Sequence, residues 1–399
     1  MISKESLVTI ISKVTILLVN FLLVIFTTQI WGSEGRGEIA FLMANISIIV
    51  ILNNIFSGST VAYHSSKLNK FHLLSTSFVG TLFFSLIGSL LFSIYYNFDN
   101  FKHLFIIATL ISFSNSISLY YLGSKNIKWF NLLTIISPIF TAFYLIILYY
   151  GLKIQSINTF FYSYYLGIGT VFIFGFFKII NKNIFEISFI KIKDLKTIFY
   201  YGFNNELSSF LQFLNYRLSY FFIAELLGFH ELGVFSVAVS ITEAIWIVSK
   251  SMSAVHFSEI INSTNYKKDI IITSKVALQN FWFSLLLSII LFILPNSLFI
   301  FIFGDSFSEV KTITTYLIPG IIFIAVSNVY GHYFAGIGKL TILKNKSFIG
   351  FVTTLLAALV LIPKYKLIGA CISLNISHMI SSSYLFIMYL KHRKTVLQK

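Results

Sequence analysis

Cysteine, proline and charge are all scarce in this sequence. Of its 399 residues, one is cysteine, four are proline and 11% are charged. A single cysteine excludes a disulfide framework and a cysteine-based metal site. Polar residues nowhere form a segment long enough for a folded soluble domain, so the chemistry of this chain is expected to take place in a membrane.

Apolar runs, by contrast, recur from one end of the chain to the other, and hydrophobic residues make up 57% of it. About 20 apolar residues in a helix cross the hydrocarbon core of a bilayer. The sequence therefore predicts an all-α integral membrane protein. We expect about 12 transmembrane helices, which begin near residues 8, 37, 73, 103, 129, 157, 200, 233, 275, 313, 346 and 367.

Basic residues are distributed unequally between the two sides of this predicted topology. Alternate connections carry 20 lysines and arginines on the side that holds both termini, and six on the opposite side. The positive-inside rule then predicts that both termini are cytoplasmic. A net charge of +15 would suggest a nucleic-acid partner for a soluble protein, but here its placement follows the topology, and we expect no nucleic-acid partner.

Two glycine-bearing segments, WGSEGRGEIAF and LGFHELGVFSV, lie six predicted spans apart. Gly32 and Gly37 in the first have the same five-residue separation as Gly228 and Gly233 in the second. Each segment is a predicted external turn, where glycine can end one helix and open the next without a steric penalty. The recurrence indicates that the second half of the chain repeats the first.

A second recurrence supports the repeat, since NSISLYYLG and NVYGHYFAG have asparagine, tyrosine and glycine in register. Six spans are an even number, so both halves enter the membrane in the same orientation and form a parallel repeat. We therefore predict a six-helix bundle at residues 1–180, a basic cytoplasmic linker at 181–196 and a second six-helix bundle at 197–399.

Five ionisable side chains fall inside predicted spans: Lys13, Glu206, Arg217, Glu243 and Lys250. A charge at mid-membrane costs about 2.5 to 3.5 kcal/mol on insertion scales, so each needs a partner, a hydrated cavity or a nearby interface. Glu206 and Arg217 share a face of span seven about 16 Å apart, and Glu243 and Lys250 share a face of span eight about 10 Å apart. Neither couple pairs at such distances, so each helix is expected to present its charges to another part of the protein.

The five candidate side chains differ in their predicted depth in the membrane. Lys13 and Lys250 lie within two or three turns of the cytoplasmic surface, and Glu206 lies nearer still, so snorkelling is an alternative to function for all three. Arg217 and Glu243 lie close to mid-span, where snorkelling is hardest. These two are the best candidates for a functional site.

Enzymatic motifs are missing. The segment GIGKLT resembles part of a phosphate-binding loop, but Tyr333 replaces the required first glycine and Leu340 replaces the required Ser or Thr, so ATP hydrolysis is unsupported. The sequence shows no acidic metal cluster and no nucleophile elbow. An intramembrane glycan polymerase or ligase is therefore the minor hypothesis, and no cofactor or metal is predicted.

The whole chain resembles the Wzx-type O-antigen and polysaccharide flippases of the multidrug/oligosaccharidyl-lipid/polysaccharide exporter (MOP) superfamily. The resemblance lies in the length, the twelve spans with both ends inside, the basic mid-chain linker and the turn WGSEGRGEIAF. It implies a MATE/MOP-like fold, in which two pseudo-symmetric six-helix bundles face a central cavity. It also implies a multi-pass location in a bacterial inner membrane and a role in polysaccharide or lipopolysaccharide biosynthesis.

The cargo implied by this resemblance is an oligosaccharide on undecaprenyl diphosphate, moved from the cytoplasmic to the periplasmic leaflet. Arg217, Lys250 and Lys13 would bind its diphosphate, while Glu243 and Glu206 would balance charge or carry a coupling H⁺ or Na⁺. Membrane lipid and the glycan polymerase machinery are the other implied partners. The alternative is a cation-coupled drug or metabolite exporter of the same superfamily.

Overall fold

The computed structural model describes residues 4–95, 100–180, 192–261, 263 and 265–398. Nearly all of these residues are helical. The first six helices are α1 (Lys4–Asn53), α2 (Gly58–His64), α3 (Lys70–Tyr95), α4 (Phe101–Gly123), α5 (Ile127–Ile146) and α6 (Asn158–Ile180). The next six are α7 (Ile192–Leu226), α8 (Phe229–Ile261), α9 (Tyr266–Ile293), α10 (Asn296–Phe303), α11 (Val310–Gly336) and α12 (Leu340–Leu397).

Two helices, α1 and α12, are each long enough to cross a membrane twice. Each contains one residue with non-helical backbone angles: Gly32 (φ 62°) in α1 and Lys366 (φ 51°) in α12. Among the described residues, eight helical stretches have the length and apolar composition of a membrane span, and two of these have 54 and 57 residues. With α7 and α8, which are long but carry the charged candidates, the all-α membrane fold is confirmed.

The chain divides into two compact units, and two helices contribute to both. Unit 1 contains Met1–Thr27 and Leu42–Phe210, and unit 2 contains Thr28–Phe41 and Leu211–Lys399. Of the predicted linker at 181–196, residues 181–191 lie outside the described residues, and the remainder belongs to the first turns of α7.

Polar contacts join the helices of unit 1. The buried amide of Asn53, at the end of α1, donates to the hydroxyl of Ser85 on α3 at 2.9 Å and to that of Ser112 on α4 at 2.9 Å. Hydrogen bonds between helices suit a bilayer, where small polar residues allow close packing and no water competes for donors. An apolar cluster that includes Leu73, Ile117 and Leu133 packs nearby helices together.

Helix α11 forms the centre of unit 2. Its buried residues Val329 and Tyr333 pack with Ala277 of α9 and Leu385 of α12. On the α7 side, the side-chain oxygen of Asn215 accepts hydrogen bonds from Thr354 (2.8 Å) and Ser377 (2.7 Å), which lie in the two spans of α12. Unit 2 therefore has a packed apolar centre and a polar junction at Asn215.

The glycine recurrence corresponds to a recurrent backbone geometry. Gly32 and Gly228 both have positive φ, at 62° and 94°. Within unit 2, a Cβ on Gly37 would overlap the carbonyl of Phe229, and a Cβ on Gly233 would overlap the carbonyl of Ser33. Phe229 directly follows Gly228, and Ser33 directly follows Gly32. The second glycine of each segment therefore contacts the carbonyl next to the first glycine of the other segment, and the two contacts are reciprocal. Gly32 thus breaks a helix as expected, whereas Gly37 permits close backbone contact.

Candidate functional site

Arg217 and Glu243, the two mid-span candidates, form an ion pair. The guanidinium of Arg217 on α7 places Nη1 2.8 Å from Oε1 of Glu243 on α8, and Nη2 donates to Oε2 at 2.9 Å. The side chains are 25% and 24% exposed, and the Arg217 Cζ lies 5.0 Å from the centre of the Tyr220 ring. This charge-assisted pair combines one hydrogen bond with a second short N···O contact, so the guanidinium faces both carboxylate oxygens.

A small cavity of about 20 Å³ adjoins the ion pair and has room for about one water molecule. Tyr216, Trp246 and His378 line it, and the Tyr216 ring packs edge-to-face against the other two rings. The His378 ring therefore packs against the aromatic ring of a neighbouring helix. Trp246 also lines a second cavity.

This second cavity in unit 2, the lysine cavity, is larger, at about 240 Å³. Lys250 of α8 is exposed, and its Nζ lies 5.5 Å from the centre of the Trp246 ring. Lys346 of α12 also lines this cavity, yet only 8% of it is exposed. The full lining is Gln212, Trp246, Lys250, Ser327, Asn328, Gly331, His332, Ala335, Leu343, Lys346, Ser347 and Leu385.

Sequence reasoning missed Lys346 because it follows two other lysines and was counted among the basic residues of a cytoplasmic connection. In the structure α12 begins at Leu340, so Lys346 already lies within the helix. The available signal was the spacing of small or polar residues: Ser347, Gly350 and Thr354 recur at helical intervals and are all buried. This pattern marks the inward face of α12, which Lys346 adjoins.

Glu206 lies in unit 1 and is 6% exposed. Its Oε1 accepts hydrogen bonds from the Ser59 hydroxyl (3.1 Å) and the Asn205 side-chain amide (2.7 Å). Gly202, one turn earlier on α7, has no Cβ and so lets the helix approach the carbonyl of Ile55. Among the described residues, no basic side chain lies within ion-pairing distance of Glu206. Its role in coupling stays a prediction.

Lys13 is exposed on α1, and two polar residues farther along the same helix lie in different environments. Asn20 lines a cavity of about 290 Å³ in unit 1, whereas Thr27 is buried and donates to the Val24 carbonyl in its own helix. Within the described part of the chain, no three His, Cys, Asp or Glu side chains are grouped closely enough to hold a metal ion.

Solved structures of similar fold are transporters. A multidrug resistance MATE family transporter of the MOP superfamily, in an inward-facing conformation, superimposes with a TM-score of 0.73 at 16% identity and covers 96% of this chain and 95% of its own. The lipid II flippase MurJ, in an inward closed conformation, has a TM-score of 0.73 at 16% identity and covers 98% of this chain and 90% of its own. This chain has the MOP transporter fold.

A third structure with the MOP fold is the Vibrio cholerae MATE transporter VcmN, with a TM-score of 0.66 at 12% identity over 98% of this chain and 97% of its own. The three superpositions confirm the predicted MATE/MOP-like fold. No protein-family model and no curated protein sequence matches the chain. A multidrug resistance transporter and a lipid II flippase share this fold, so the fold alone does not identify the function of this chain.

Proposed function

We propose that this protein is a flippase that moves undecaprenyl-diphosphate-linked oligosaccharide units from the cytoplasmic to the periplasmic leaflet of a bacterial inner membrane. The main support for this proposal is the charge of the two cavities of unit 2 that share Trp246. Their lining includes three basic side chains, Arg217, Lys250 and Lys346, and one acidic side chain, Glu243. Net positive cavities suit an anionic cargo.

The diphosphate of such a cargo must cross hydrocarbon, where an unpaired anion is costly. Basic side chains in a hydrated cavity lower this cost, and alternating access would expose them to each leaflet in turn. Glu243 holds Arg217 when no cargo is present, and the diphosphate competes with Glu243 for the guanidinium fork. Lys13 adds an accessible positive charge on α1, and Glu206 is the proposed site of H⁺ or Na⁺ coupling.

The translocated lipid-linked glycan would pass to glycan polymerase machinery on the periplasmic side. Membrane lipid would surround the protein in both leaflets. A cation-coupled exporter of drugs or metabolites is the second candidate, because the MATE transporter and MurJ match this chain with the same TM-score of 0.73. Cavity charge favours the flippase, since a cationic drug would be repelled by Lys250 and Lys346. A glycan polymerase or ligase is less favoured, since the fold matches are transporters.

The lipid-linked glycans of a deletion strain test this proposal. We expect repeat units to accumulate on the cytoplasmic leaflet, where an enzyme added outside spheroplasts cannot cleave them. Accumulation of a toxic amphiphile with normal glycan transfer would favour the drug exporter instead. Re-expression of the intact chain must restore glycan transfer in the same strain.

Topology is tested by cysteine labelling in intact cells. A cysteine at Ser306 is expected to react with a membrane-impermeant thiol reagent, whereas cysteines at Ser124 and Thr395 are expected to react only after permeabilisation. All three positions are exposed, and the native Cys371 is buried, which keeps background labelling low. If the external reagent labels the Ser124 or Thr395 variant in intact cells, the true orientation is the opposite of the proposed one.

A further inference from the structure

The cavity of unit 1 that Asn20 lines, the neutral cavity, has a polar but uncharged lining. Eight of the 15 residues that line it are polar, yet the described lining includes no acidic, basic or histidine side chain. A cation in this cavity would meet no carboxylate, and an anion would meet no ammonium or guanidinium group, so either charge would lack a partner. Its ligand is therefore expected to be polar and uncharged.

The predicted sequence repeat relates the neutral cavity of unit 1 to the lysine cavity of unit 2. Asn115 of α4 lines the first, and Asn328 of α11, 213 positions later in the sequence, lines the second. The same interval of 213 positions relates Leu133 of α5 to Lys346 of α12, and these two residues also line the two cavities. Corresponding helices thus line both cavities, and in unit 1 a leucine occupies the position of the buried lysine.

Two asparagine amides on different helices give the neutral cavity free hydrogen-bonding capacity. Asn20 of α1 is exposed and Asn115 of α4 is half-buried, and neither side chain hydrogen-bonds to another described residue. Each amide offers an acceptor oxygen and two N–H donors. A ligand that satisfies both amides must donate hydrogen bonds as well as accept them, which is what a hydroxyl group does.

The volume and the aromatic edge of the neutral cavity suit a ring that carries several hydroxyl groups. A volume of about 290 Å³, that of about ten water molecules, accommodates one pyranose ring and excludes a whole oligosaccharide. Tyr164 of α6 lines the same cavity, and tyrosine offers an apolar ring face on which the C–H face of a sugar packs. An apolar drug would displace water from the two amides without replacing its hydrogen bonds.

We propose that the neutral cavity binds one uncharged sugar ring of the lipid-linked glycan. Asn20 and Asn115 hydrogen-bond to its hydroxyl groups, and Tyr164 provides the aromatic surface. This site rests on the proposed flippase function and adds a specificity to it, because an acidic sugar such as a uronic acid would lose hydration there without gaining a positive partner. The cargo class is therefore a glycan with at least one neutral sugar.

Three probes separate the contribution of the sugar from that of the lipid: farnesyl diphosphate, and farnesyl diphosphate that carries glucose or glucuronic acid. Binding to the full-length protein in lipid nanodiscs is measured by isothermal titration calorimetry. We expect the glucose probe to bind at least about fivefold more tightly than farnesyl diphosphate, which corresponds to one net hydrogen bond. The glucuronic acid probe should show no such advantage. Equal advantages for the two sugars would overturn the proposed specificity.

Asn115→Leu is expected to reduce the affinity for the glucose probe to that for farnesyl diphosphate. Its melting temperature without ligand should be no lower than that of the parent, because the amide loses no described partner. Asn204→Leu is the matched control, since it removes an exposed amide of unit 1 whose hydrogen bond, to the Tyr200 carbonyl, lies within its own helix. A glucose advantage that is equal in both variants would overturn the site.

Thr134→Lys is expected to reverse the selectivity of the neutral cavity. Thr134 lines this cavity, and its hydroxyl donates only within α5, to the carbonyls of Phe130 and Asn131 at 3.0 Å each. The lysine would supply the positive charge that the cavity lacks. We expect the glucuronic acid probe to bind about tenfold more tightly than to the parent, as for a charge-assisted hydrogen bond, and the glucose probe to gain nothing. Equal gains for all three probes would place the new charge near the diphosphate and overturn the assignment.

Glycan transfer in cells distinguishes failure of this site from failure of the flippase function. An Asn115-dependent glucose advantage in a protein whose deletion leaves glycan transfer normal would support the sugar site and overturn the flippase function. Glycan transfer that requires the protein, together with a glucose advantage that does not depend on Asn115, would overturn the site alone. Binding of none of the three probes would overturn both the sugar site and the diphosphate-linked cargo.

Discussion

Arg217→Ala is expected to lower the membrane abundance and melting temperature of the protein, and a further Glu243→Gln substitution is expected to restore both. The single change leaves the Glu243 carboxylate without its partner in a largely buried position. Loss of one member of a fully buried pair costs about 3 to 5 kcal/mol, and partial exposure reduces this to about 2 kcal/mol. Glu243→Gln removes the unpaired charge, and the amide can still accept and donate hydrogen bonds.

Membrane abundance by quantitative immunoblot and melting temperature in detergent measure this prediction, with Lys344→Ala as the control for loss of an exposed positive charge. Arg217→Lys keeps the charge but loses the fork, so it should fall between parent and Arg217→Ala. A normally abundant Arg217→Ala protein with abolished glycan export would contradict the structural cost and leave Arg217 only its proposed role in diphosphate binding. Full abundance together with full export would remove Arg217 from the mechanism.

Gly233→Ala is expected to lower the amount of folded protein several-fold. A Cβ at this position would overlap the backbone carbonyl of Ser33, and backbone cannot move aside as a flexible side chain can. Gly37→Ala should have a similar effect, because its Cβ would overlap the carbonyl of Phe229. Forcing extra atoms into a close-packed helix contact typically costs about 1 to 3 kcal/mol, and here the clash with main chain on both partners places the effect at the upper end.

Gly169→Ala is the matched control for both variants, since Gly169 lies inside α6 with nothing within 4 Å of a built Cβ. Alanine there should be neutral or mildly stabilising, because it favours the helix by up to about 1 kcal/mol. Fluorescence-detected size-exclusion chromatography gives the folded fraction. Gly37→Ala and Gly233→Ala proteins that elute as sharp, abundant peaks would show that the two segments separate without cost.

Sequence alone was sufficient for the fold class because apolar runs and glycine spacing are local signals. The spans follow from composition, and the glycine recurrence marked Gly37 and Gly233, whose contacts recur in the structure. The sequence did not show that Arg217 pairs with Glu243. Helical periodicity identifies residues on one face of one helix, but not which neighbouring helix that face meets.

Lys346 and Glu206 illustrate a second limit, which concerns depth. Both lie near helix ends in the sequence, where lysine and glutamate usually extend to water, yet both are buried. Lys346 is enclosed because α12 begins earlier than hydropathy indicated and turns this side chain inward. Glu206 is enclosed because Gly202 lets α7 pack closely against the carbonyl of Ile55, while Ser59 and Asn205 supply donors. Such packing is set by tertiary contacts that no local pattern encodes.

Transbilayer movement of a lipid-linked glycan in proteoliposomes measures the central claim most directly. The purified protein is reconstituted with a fluorescently labelled oligosaccharide on polyprenyl diphosphate, and dithionite added outside reduces the accessible label. We predict that the protein exposes inner-leaflet label to dithionite, that Lys346→Gln slows this exposure, and that labelled phosphatidylglycerol in the same vesicles is not moved. Label that stays protected in the presence of folded protein, or equal movement of phosphatidylglycerol, would contradict the account.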